Sequence, residues 1–146
     1  MRHPAFRRLF YIFIIICVLL PFSASSQIDE ERDLKGSIDS ITLVHAVVCE
    51  DIEGSTPQNP TTVFSIERRK AVCFTLFDAV TEKAVIYHHW FHRDRSSAKI
   101  KLIINPPRWS TYSSIQFRAE DIGPWRVEIT DSEGRIFKVL RFSITD

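Results

Sequence analysis

Near its C-terminus the chain repeats with a period of two. In WRVEIT, Trp125, Val127 and Ile129 alternate with Arg126, Glu128 and Thr130. Side chains two apart on an extended strand share a face, so this pattern predicts a strand with one apolar side. The DSEG that follows supplies a turn, with Gly134 able to take the positive φ such loops need. RIFKVLRFSIT then runs back to the C-terminus. Nothing between Ile41 and Asp146 has the 3.6-residue periodicity of an amphipathic helix.

The same texture recurs upstream. ITLVHAVVCE, from Ile41, is rich in β-branched residues and reads as a first strand. DIEGSTPQNPTT reads as a long loop around Gly54, Pro57 and Pro60, and Val63 to Ile66 as a short edge strand. KAVCFTLFDAV and AVIYHHWFH are expected to pair as a hairpin about TEK, with RDRSS making the next turn. In KIKLIIN, Ile100, Leu102 and Ile104 share a face opposite Lys99 and Lys101. Pro106 and Pro107 end that strand, because proline cannot donate to a ladder, and SSIQFRA puts Ile115 and Phe117 on one side. Seven strands, or eight with the run at Val63, predict an all-β domain over residues 41–146. The expected architecture is an immunoglobulin-like β-sandwich of about seven antiparallel strands. Internal repeats and low-complexity tracts are absent from the sequence.

Residues 1–26 read as a signal peptide. Arg2, Arg7 and Arg8 form a basic front, Leu9 to Leu20 carries no charge, and Pro21 precedes small residues. The run is shorter than the roughly 20 apolar residues a spanning helix needs. Cleavage after Ala24-Ser25-Ser26 would leave Gln27 as the new terminus, and the alternative is an uncleaved N-terminal membrane anchor. Bulky Ile16 argues against lipid attachment at Cys17. Residues 27–40, QIDEERDLKGSIDS, lack an apolar face and read as a linker. The expected location is periplasmic or secreted, with contact to a membrane only through the leader. The chain has 19 basic and 18 acidic residues. Removing the leader's three arginines turns +1 into −2, and a near-neutral body gives no electrostatic reason to seek nucleic acid.

Two cysteines, Cys49 and Cys73, remain beyond the leader. In an oxidising compartment they form either a disulfide or a pair of buried thiols. A bridge would close a loop of about 25 residues, worth roughly 3 kcal/mol.

The stretch YHHWFHRD, Tyr87 to Asp94, concentrates three histidines. On a strand, His88, Trp90 and His92 share one side and His89 points to the other. His88 and His92 then stand about 13 Å apart, too far to share one metal ion. A metal site would need ligands from other strands, such as His45 or Asp94. No metal and no cofactor is expected. Ser110, Ser113 and Ser114 and the acids Asp94, Glu120 and Asp121 sit in no nucleophile-elbow context, and there is no glycine-rich phosphate loop. No catalytic residue is assigned.

NPPRWSTYSS is richer. A Pro-Pro corner leads into Arg108, Trp109 and Tyr112, residue types that dominate binding hot spots. The competing reading has Trp109 capping the core, its N–H held by a loop carbonyl.

Three spaced features resemble a known bacterial family. They are His88-x-Trp90, then PRWSTYSS with Arg108-Trp109 and Ser113-Ser114, then Gly123-x-Trp125-x-Val127 with Asp131 and Gly134. From about Arg69 onward the chain resembles the domain of unknown function DUF2914. The resemblance implies a small β-rich module of Gram-negative bacteria, often attached to a membrane segment or exported leader, with no established activity. His89, His92 and the cysteines are not part of the pattern. The resemblance offers one candidate patch, His88, Trp90, Arg108, Trp109, Ser113 and Ser114, meeting at one end of the sandwich. The resulting expectation is a non-catalytic module binding an envelope protein or glycan. The rivals are a metal-handling protein using His88, His89 and His92, and a hydrolase acting on an envelope polymer.

Overall fold

The computed structural model describes residues 41–146. The signal peptide and linker expectations fall on residues 1–40, outside the described residues. Among the described residues nine strands form: β1 (Thr42–Glu53), β2 (Thr56–Pro60), β3 (Val63–Ser65), β4 (Lys70–Asp78), β5 (Ala84–His92), β6 (Arg95–Ile104), β7 (Trp109–Gln116), β8 (Gly123–Asp131) and β9 (Ile136–Thr145). Single 3₁₀ turns at Ile66–Arg68 and Ala119–Asp121 are the only helical pieces among the described residues. The strands build a four-stranded sheet, β2-β1-β4-β7, and a five-stranded one, β3-β9-β8-β5-β6.

Alternation sets the core. Trp125, Val127 and Ile129 of β8, Ile86 and Trp90 of β5, and Ile115 of β7 are all buried in one cluster. Trp90 is fully buried, its ring edge-on to Phe142 at 6.0 Å, and Phe142 meets Phe64 at 5.5 Å. The β8–β9 hairpin turns at the expected place. Gly134 has φ +85, and the Asp131 carboxylate accepts the backbone N–H groups of Glu133 and Arg135 at 2.8 and 2.9 Å.

Three expectations are corrected. The stretch read as a loop is the end of β1, a tight turn at Gly54 (φ +61), and β2. Its prolines are tolerated because β2 is an edge strand, where a missing N–H breaks no ladder. Next, β4 and β5 are not a hairpin, for they lie in different sheets. Ala79 turns left-handed (φ +55) with its N–H on the Asp78 carboxylate at 2.8 Å, and buried Val80 plugs the crossing between layers. Period tells which residues of a strand share a face but not which strand it pairs with, so two β-rich runs joined by the short TEK segment look like a hairpin from sequence. Last, the strands are not all antiparallel: β3 is the expected edge strand, but it runs parallel to β9, pairing Val63 to Ser65 with Ser143 to Thr145.

Cys49 and Cys73 are free and buried. Register explains why they are not bridged: Val48 lies opposite Cys73 and Val72 opposite Cys49. Cross-strand partners share a face, so the two thiols project to opposite faces of one sheet. Cys73 joins the core cluster, and Cys49 points its thiol at the Val72 and Asp51 carbonyls. Burial pushes both thiols up in pKa, away from the reactive thiolate. Maleimide labelling read by peptide mass spectrometry is expected to spare Cys49 and Cys73 in the native protein. Both should react once denaturant is added without reductant; failure to react then would mean a bridge.

Candidate functional site

Strand β5 projects His88 and Trp90 into the space between the sheets and turns His89 outward. Facing them are Ser113 of β7 and Thr75 of β4, adjacent strands of the opposite sheet. Ser113 Oγ lies 2.8 Å from His88 Nδ1 and 3.1 Å from Trp90 Nε1. His88 Nε2 lies 3.2 Å from Thr75 Oγ1, which reaches the Thr111 carbonyl at 3.3 Å.

Donor inventory fixes the direction of this chain. The Thr75 hydroxyl gives its hydrogen to the Thr111 carbonyl, so its Oγ1 accepts from His88 Nε2; a neutral imidazole then accepts the Ser113 hydrogen at Nδ1, and Ser113 Oγ accepts from the indole N–H, which only donates. The imidazole hydrogen therefore sits on Nε2 and goes to Thr75 Oγ1, whose hydrogen goes to the Thr111 carbonyl. Each donor has an acceptor, and the imidazole is neutral. His88 is completely buried, and that desolvation lowers its pKa to about 4. The network joins the two sheets across the core.

A serine 2.8 Å from a histidine raises the question of nucleophilic catalysis. The arrangement lacks two things a hydrolase needs. Behind the imidazole stands a threonine hydroxyl instead of a carboxylate, and Ser113 is itself buried beneath the sheets. As placed, the hydroxyl meets core atoms rather than a substrate.

The other histidines diverge. His89 Nε2 bonds Ser96 Oγ at 2.7 Å and its ring tilts on Phe91; burial, then Lys99, lowers its pKa. His92 lies flat on Trp125, centroids 4.7 Å apart, with Nε2 toward the Ile122 carbonyl. Among the described residues no group of three His, Cys, Asp or Glu is placed to hold a metal ion.

The six residues of the candidate patch thus separate. His88, Trp90 and Ser113 come together in the core. Ser114 takes the opposite face of β7, Trp109 opens that edge strand, and Arg108 lies just before it, after the Pro-Pro corner. Arg108 pairs with Asp78 at 2.9 Å, and Val80 N–H fastens the corner through the Pro107 carbonyl at 3.0 Å. Trp109 is 39% exposed and Tyr112 53%. Thr75 was missed from sequence, though a lone polar residue inside AVCFTLF was the available signal.

Fold and site define a two-sheet all-β domain whose layers are joined by a buried chain of polar side chains, Trp90, Ser113, His88 and Thr75. The family model described as "Protein of unknown function (DUF2914)" matches residues 83–144 of the chain. The match begins at the last residue before β5, later than the resemblance from Arg69. No curated protein matches the sequence. Among solved structures, the chain is similar to a β-glucosidase from Listeria innocua in complex with isofagomine, at 10% identity and TM-score 0.41 over 57% of this chain. It is also similar to a point mutant of a Listeria innocua β-glucosidase in complex with laminaribiose, at 10% identity and TM-score 0.42 over 73% of this chain. The similar regions span 15% and 16% of those chains.

Proposed function

We propose that the protein is an exported, non-catalytic, immunoglobulin-like module of the bacterial envelope. It captures an envelope protein or glycan through Arg108 and Trp109. The observation that carries this reading is a contrast. The Ser–His pair that could do chemistry is sealed and internally satisfied, whereas Arg108 and Trp109 are open to solvent where the chain enters edge strand β7. Tryptophan, tyrosine and arginine give much contact energy at low ordering cost.

Cross-linking in intact cells tests it. Arg108→Ala and Trp109→Ala are expected to abolish capture of the partner while leaving the melting temperature within a few degrees of the parent. The Arg108–Asp78 pair is half exposed, so its loss costs under about 1 kcal/mol. Capture undiminished in both variants, or lost only because the domain unfolds, would count against this surface.

A further inference from the structure

At the far end of β6 from the Pro-Pro corner, about 30 Å along a ten-residue strand, a cleft of about 350 Å³ opens beside the β5–β6 turn. Arg93, Arg126 and Arg141 line it, with Asp94 and the ring of Phe91. Three features are hard to account for as packing alone. Arg126 and Arg141 are directly opposite each other on β8 and β9, an arrangement that like charges disfavour. The two turn residues, Arg93 and Asp94, both take positive φ, +47 and +64, where asparagine and glycine are the unstrained choice. Backbone strain of this kind gathers where side-chain placement matters. Finally, Arg93 lies flat on Gly123, where a Cβ would come within 3.0 Å of Nε, and is fixed by the Ile122 carbonyl at 3.0 Å.

The cleft already holds a carboxylate. Asp94 reaches Arg126, whose guanidinium also bonds Glu128 at 2.8 Å and lies 4.0 Å over Phe91. Arg141 has no acidic partner among the described residues. Three arginines against Asp94 and Glu128 leave one positive charge. That matches a monoanion, and a guanidinium fork favours a planar carboxylate over a point charge. We propose that this cleft binds the carboxylate of a small organic acid, with Arg141 and Arg126 as its fork and Asp94 as the internal group it displaces. The acid's flat or apolar body lies along Phe91. The inference does not rest on the Arg108–Trp109 surface, and either can fail without the other.

Ligand-observed NMR titration of the full-length protein with benzoate, its neutral analogue benzamide, and inorganic phosphate decides it. Benzoate is expected to bind and benzamide not. Asp94→Asn, which keeps a good turn residue but removes the internal carboxylate, should tighten benzoate about fivefold. Arg141→Gln should weaken it about tenfold. Equal binding of benzoate and benzamide, phosphate binding in place of benzoate, an affinity unmoved by Arg141→Gln, or no binding even in Asp94→Asn would each overturn the proposal.

Discussion

Urea titrations are expected to show the domain losing about 3 kcal/mol of stability between pH 7 and pH 4 through His88 alone. The buried imidazole has its pKa lowered to about 4, against 6.5 when solvated. Over that window the unfolded chain binds a proton that the folded chain refuses, so stability falls as pH falls. It is complete above 6.5 and is lost on the way down through 4. Geometry enforces the same sign. A proton on Nδ1 would leave Ser113 Oγ facing two donors, Trp90 and His88, with its own hydrogen unplaced. Asp131 acts in a separate window. Burial works to raise its pKa, but Arg135 and the N–H groups of Arg135 and Glu133 outweigh that and hold it below 3.8, so its contribution fades only at lower pH. A His88→Gln variant starts less stable but should lack the loss between pH 7 and pH 4. An equal decline in both proteins would show that the imidazole is not the titrating group.

What sequence could tell about this fold follows from periodicity. Where one face of a strand is polar, as with Lys99 and Lys101 against Ile100, Leu102 and Ile104, both existence and facing were readable. Strand alternation also set His88 and Trp90 on one side of β5 and His89 on the other, while which side meets the core is given only by the packed sheets. Where a strand is apolar on both faces, the period vanishes. That is why Cys49 and Cys73 could not be assigned to faces; β5 does alternate, but alternation gives a strand's facing and not its partner, so β4 and β5 still read as a hairpin. Prolines misled in the opposite direction, since Pro57 and Pro60 argue against a central strand but not against an edge. The site was half legible. The features His88, Trp90 and Ser113 were already grouped, but nothing in spacing distinguishes a hydroxyl bonding in the core from one bonding a ligand. Thr75 and the Arg126–Arg141 juxtaposition depend on register between strands distant in sequence, which only the folded sheet supplies.

The junction of the polar core is Ser113, and its removal is the sharpest test of the network. Ser113→Ala deletes one oxygen but strands two groups, the Trp90 indole N–H and the His88 Nδ1 lone pair, both fully buried. A buried group left without a partner costs about 1–3 kcal/mol, so a loss near 3 kcal/mol is expected from a substitution that removes almost no apolar contact. Trp90→Phe loses packing as well as the N–H, and alone it mixes the two effects. The double-mutant cycle separates them. In the Ser113→Ala background the indole hydrogen is already orphaned, so Trp90→Phe should cost about 1 kcal/mol less there than in the parent. Strictly additive costs, measured by chemical denaturation at pH 7, would mean that serine and tryptophan act independently. The hydroxyl would then be no junction between the sheets.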